Sequence, residues 1–105
     1  MVELRFAEKI FFFVGGTTKK NTHCWLYFYG NSQMAEDFVC TISLEFEELC
    51  LSFRGKVIPL DFDKIEVTKT KPTFVIGKNT MLRLMENPNA DKTKISIKIQ
   101  KKDEL

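Results

Sequence analysis

The chain has 105 residues and a formal net charge of +2, one domain's worth of sequence with too little positive charge to point to nucleic acid. Apolar residues make up 44% of it, enough for a core and too many for a disordered chain. No apolar run reaches the roughly eighteen residues a membrane helix needs, so no membrane partner is expected.

Ten phenylalanines imply a bulky aromatic core or an aromatic surface awaiting a partner. Period-two alternation with β-branched and aromatic residues dominates the chain. Val2 to Phe6 alternates cleanly, and Lys9 to Val14 is a nearly continuous apolar run, as in a strand covered on both faces. Gly15 to Asn21 reads as a loop. His23 to Tyr29 is an aromatic strand closed by Gly30-Asn31, and Asn31 to Asp37 is a loop or single turn.

Phe38 to Phe46 places Phe38, Cys40, Ile42, Leu44 and Phe46 on one face, the clearest half-buried strand in the chain. Leu49 to Phe53 repeats the pattern after Glu47-Glu48, giving a hairpin. A turn is expected at Arg54-Gly55-Lys56. Val57 to Leu60 then reads as an edge segment, because Pro59 cannot donate to an interior ladder. Asp63 to Thr70 alternates at Ile65 and Val67 and reads as a short strand or extended loop. Thr73 to Ile76 is a strand ending at Gly77. One short helix follows over Met81 to Met85, capped by Asn79 or Thr80. Lys94 to Ile99 is a final strand with Ile95, Ile97 and Ile99 inward. The expectation is a mainly β antiparallel sandwich of about seven or eight strands with one short helix, in a single domain over residues 1–105.

No catalytic or metal-binding constellation stands out. His23 is the sole histidine, Cys-x-x-Cys pairs are absent, and zinc needs several converging ligands. Adjacent strand residues point to opposite faces, so His23 and Cys24 cannot pair. Cys40 and Cys50 both face inward in this reading and approach each other across the hairpin, as buried thiols. Three widely spaced cysteines fit a reducing compartment, hence cytoplasmic or nuclear placement. The ending Lys102-Asp103-Glu104-Leu105 matches an ER-retention address, which places the ER lumen second. The carboxylates Glu45, Glu47 and Glu48, and the pair Asp61 and Asp63, lie at turns or strand ends and read as solvated. Trp25, Tyr27 and Tyr29 read as core packing rather than a base-stacking surface. No cofactor is expected.

Gly30, four variable residues, then Ala35-Glu36-Asp37-Phe38 and an alternating strand to Leu44-Glu45 resemble the C-terminal domain of the seven-in-absentia (Siah-type) ubiquitin ligases, which carries Gly-x4-Ala-Glu-Asn-Phe-x-Tyr-x-Leu-x-Leu there. The strands Phe11 to Val14, Trp25 to Tyr29, Thr73 to Ile76 and Ile95 to Ile97 are similar in register. The resemblance implies a TRAF-like sandwich, non-catalytic, that recognises protein substrates and adaptors and forms homodimers, or heterodimers with a Siah-type ligase, in ubiquitin-dependent degradation. The family's RING and zinc-finger cysteines have no counterpart, its tyrosine is Cys40 here, and its first strand is missing. Its groove takes peptides of Pro-x-Ala-x-Val-x-Pro type by strand addition. Onto that groove the resemblance carries Val2, Glu3, Leu4 and Arg5 as the peptide-binding edge. Two other readings stand beside it: an oligomerising structural sandwich, and a small enzyme using Glu45, Glu48 or Cys24.

Overall fold

The computed structural model describes residues 1–104. Alternation sets the architecture. In β4 (Phe38–Phe46) the residues Phe38, Cys40, Ile42, Leu44 and Phe46 are buried, while their neighbours are exposed or half-buried. This strand sits in the middle of a three-stranded antiparallel sheet, between β5 (Leu49–Lys56) and β8 (Lys94–Lys101). The second sheet runs β1 (Val2–Phe6), β2 (Lys9–Thr17), β3 (Asn21–Phe28), β6 (Ile58–Pro59), with β7 (Phe74–Gly77) also paired to β3. All pairings are antiparallel except the two-residue match of β3 with β6, where Phe28 opposes Pro59. Among the described residues the fold is thus a mainly β sandwich of eight strands.

The layer between the sheets is aromatic. Phe11, Leu26, Phe28 and Phe74 from the larger sheet meet Phe38, Cys40, Ile42 and Leu44 from the smaller one. Strands long enough to alternate cleanly supply one residue in two to this layer. The larger sheet also has a covered outer face, where Val14, Trp25 and Tyr27 pack with Ile58 and Val67. That second core explains the unbroken apolar reading of β2 and β3: both of their faces are roofed, one by the other sheet and one by a helix.

The roof is α2 (Lys64–Thr70), where the period-two reading predicted a short strand or extended loop. Asp63 caps it, its carboxylate accepting the Glu66 N–H at 2.8 Å. A capping residue followed three positions later by Glu is a helix-start signal, and it outweighs two alternating apolar residues. Val67 is fully buried against the sheet, while Ile65 is 66% exposed. Pro72 ends the segment, since the residue before a proline leaves the helical region. Two further helices raise the expected one to three among the described residues. The Asn31–Asp37 segment forms a single turn, α1 (Ser32–Ala35), capped by Asn31. The last, α3 (Lys78–Glu86), starts ahead of Met81 and is entered from Gly77 with no side-chain cap, so neither Asn79 nor Thr80 serves. None of the described helices is long and apolar enough to cross a membrane.

Two other expectations change. No turn forms at Arg54–Lys56. Gly55 stays in β5 opposite Cys40, and the ring of Phe53 lies over it, 2.5 Å from where a β-carbon would stand. An aromatic ring covering a glycine keeps such a strand intact. On β8, Ile97 and Ile99 pack on the core, but Ile95 is 51% exposed, although it opposes the buried Leu44.

The β1–β2 connection is a two-residue turn, Ala7-Glu8, with φ of 50° and 63°, the left-handed pair that matches strand twist. Non-glycine residues are strained there by about 1 kcal/mol each. Glu8→Gly should therefore raise stability by roughly 1 kcal/mol in denaturant unfolding. Gly30 offers the reverse case: a β-carbon would stand 2.4 Å from the ring of Phe28, which is fully buried and cannot yield. Gly30→Ala should cost about 1–3 kcal/mol in the same assay, and an unchanged midpoint would contradict this packing.

Candidate peptide-binding edge

Val2, Glu3, Leu4 and Arg5 fall together on β1, which among the described residues pairs only with β2 and so forms the rim of the larger sheet. The tight turn makes Phe6 and Lys9 the closing hydrogen-bonded pair, and such pairs alternate along an antiparallel ladder. The backbone groups of Val2, Leu4 and Phe6 therefore point at β2. Those of Glu3 and Arg5 point out of the sheet with no strand to receive them. A short open edge of this kind is a template for another chain.

The side chains divide the same way. Leu4 and Phe6 pack on the inter-sheet core, with the Phe6 ring edge-on to Phe38 at 6.4 Å. Val2 lies on that face too, opposite Phe13, but is 54% exposed. Glu3 and Arg5 lie on the other face, where the Arg5 Nε donates to a Glu3 carboxylate oxygen at 3.3 Å. That pair is solvent-exposed and adds little stability. Near the turn, a cavity of about 520 Å³ is lined by Ala7 and Lys9 together with Phe38, Lys101 and Lys102. It brings the start of β2 beside the end of β8.

The other sequence candidates do not converge. His23 is buried on the helix-covered face, its Nδ1 2.9 Å from the Thr73 hydroxyl oxygen. Cys24 points to the opposite, inter-sheet side, where burial raises its thiol above the ordinary value. Glu45 lies on the outer face of the smaller sheet between Lys94 and Cys50. Glu47 and Glu48 form the β4–β5 turn, Glu47 with φ of 51°, and Asp63 is occupied as a helix cap. Cys40 and Cys50 do not meet. Cys40 is buried opposite Gly55, whereas Cys50 is exposed opposite Glu45. The reason is parity: Cys50 sits one residue out of phase with Leu49 and Leu51, which share the inward face. Among the described residues no group of three or more His, Cys, Asp or Glu side chains could hold a metal ion.

Sequence reading missed a basic rim. Arg54, Lys56 and Lys71 border a cavity of about 560 Å³ floored by Val57, Ile58, Pro59 and Phe62. The Lys71 ammonium stands 4.2 Å from the centre of the Phe62 ring. Lys56 donates to the Glu36 carboxylate at 2.7 Å and holds its carboxyl below the usual range. The i, i+2 spacing of Arg54 and Lys56 is the one sequence signal for it, and the expected turn at Gly55 hid it. The last residue of the Lys102–Leu105 ending, Leu105, lies outside the described residues, and Lys102–Glu104 forms an exposed 3-10 turn.

No family model matches this chain, and no curated protein matches it either. The described residues leave two open strand rims with partly uncovered apolar residues beside them.

Burial pushes the Cys40 thiol up from 9.0 to about 11. Between those values the folded chain keeps a proton that the unfolded chain has lost. This contribution to stability is complete below pH 9.0 and disappears as pH rises through about 11. Cys40→Val should flatten the alkaline fall in unfolding midpoint, and equal slopes for the two proteins would contradict it. Thiol reagents at neutral pH should modify Cys50 in the native protein and leave Cys40 untouched until unfolding.

Proposed function

We propose that this domain is a non-catalytic protein-binding module that captures an extended peptide along β1, resembling the substrate- and adaptor-recognition domain of Siah-type ubiquitin ligases in ubiquitin-dependent degradation. The observation that carries the proposal is the open rim at Glu3 and Arg5, flanked by half-covered Val2 and Leu4 on the core side.

Strand addition joins main-chain hydrogen bonds, which give affinity, to alternate side chains, which give selectivity. In a peptide of Pro-x-Ala-x-Val-x-Pro type the alanine and valine are two apart and share a face. Set beside β1, that face continues the row of Val2 and Leu4 and covers apolar surface the domain leaves in water. The prolines fall at the ends, where they stop the added strand from offering a new rim. Ligase chemistry belongs to a RING-bearing partner. Pairing with such a partner, or with a second copy of this chain, couples the captured peptide to it.

The test is fluorescence anisotropy with a labelled Pro-x-Ala-x-Val-x-Pro peptide and an alanine-scrambled control. Specific binding in the micromolar range is expected. Glu3→Pro removes an outward N–H from an edge strand, where proline is tolerated, and should abolish binding while leaving the unfolding midpoint close to that of the parent. Equal, weak binding of both peptides would sink the proposal.

A further inference from the structure

The rim of the smaller sheet carries a separate signal, independent of the β1 reading. Among the described residues, β8 pairs with β4 alone, along all eight of its residues, so its far side is an open ladder longer than that of β1. Its two faces differ in chemistry. Ile95, Ile97 and Ile99 point to the inter-sheet layer, opposite Leu44, Ile42 and Cys40. These three β4 residues are at most 4% exposed, yet Ile95 is 51% exposed. Direct neighbours in one layer differ this much because Leu44 has strands on both sides and Ile95 has one.

The outer face of β8 is basic. Lys94 and Lys98 alternate there with Ser96 and Gln100, and all but the half-buried Gln100 are exposed. Glu45 opposes Lys94, while Lys98 faces only Thr41. Lysines on an open strand are a known guard against self-association. Two copies paired through β8 with their isoleucines on one face would crowd Lys94 and Lys98 of both copies on the other, and like charges across a strand pair are unfavourable. The same pattern favours an occupant of opposite sign.

We infer that β8 accepts a second, acidic partner strand: an extended segment alternating aliphatic residues, laid beside Ile95 and Ile97, with Asp or Glu, laid beside Lys94 and Lys98. Such a segment covers the exposed isoleucine, pairs with the unbalanced lysine and completes the ladder in one step. Sequence selectivity is low in this arrangement, because main chain and charge pattern do the recognising.

The probe is a terminally blocked peptide of alternating Glu and Val, titrated into the isotope-labelled full chain, with an alternating Lys and Val peptide as control. The acidic peptide should shift the amide resonances of β8 and slow their hydrogen exchange, with affinity falling as salt is raised. The basic peptide should do neither. Lys98→Glu lies on the exposed face opposite Thr41 and leaves packing intact, so the fold is retained. It should weaken the acidic peptide by about tenfold. Glu3→Pro, which blocks β1, should leave this binding unchanged, so the two edges fail or succeed separately. Equal binding of both peptides, shifts confined to β1, or concentration-dependent protection of β8 in the free protein would each overturn the inference.

Discussion

Phe38 is the point at which the two sheets are joined. Its ring meets Phe11 and Phe28 at 5.3 and 5.4 Å and Phe6 at 6.4 Å, so three strands of one sheet or its rim converge on one side chain of the other. Phe11 and Phe28 also touch each other at 5.3 Å. Tilted and edge-on ring pairs add about 0.5–1.5 kcal/mol each beyond their buried area. Much else follows from this cluster. Phe28 must stay fixed, which leaves Gly30 no room for a side chain. Phe6 must reach Phe38, which anchors the end of β1 and frees its beginning.

The two outer faces of the sandwich are built differently. The larger sheet is roofed by α2, with Trp25 and Tyr27 crossing edge-on at 5.6 Å beneath it. Tyr27 donates its hydroxyl to the Phe62 carbonyl at 2.8 Å. Burial raises its pKa, the nearby Trp25 N–H lowers it, and Asp63 and Glu66 raise it further. The Trp25 N–H is itself buried without a well-formed hydrogen bond, an energetic penalty that the packing of the indole offsets. Among the described residues the smaller sheet has no roof. Its outer face is mostly serine, threonine, lysine and arginine, with Val39, Glu45, Cys50 and Gln100 among them, as befits an antiparallel sheet with one side in water.

Alternation made β4 and its hairpin with β5 legible, because a half-buried strand writes its burial into every second residue. The helix over Asp63–Thr70 escaped for the opposite reason: seven residues are too few for helical periodicity to outweigh an accidental i, i+2 match, and the cap was the better signal. Gly55 misled because a glycine between two cations looks like a turn until a neighbouring ring is known to cover it. The edge at Val2–Arg5 was legible from alternation as a strand, but its openness was expected only from the resemblance. Openness depends on strand order, which alternation does not encode, and the same gap hid the exposed flank of β8. Within β8, the pattern assigned the right face to Ile95 and said nothing of whether a neighbour lay beyond it.

The central place of β4 also shapes how the fold assembles. Its partner β5 follows across a two-residue turn, and β1, β2 and β3 are likewise consecutive, so most of each sheet closes through short loops. The pairing of Ile42 with Ile97 spans the whole of β5, β6, β7 and all of α2 and α3. Closing so long a stretch carries an entropy cost that local hairpins avoid. Long-range closure thus falls on the seam between β3 and β7 and, for the smaller sheet, on the one between β4 and β8. Until the β4–β8 seam closes, the exposed flank of the nascent smaller sheet belongs to β4, the most apolar strand in it, and the arrival of the lysine-bearing β8 replaces a sticky rim with a guarded one.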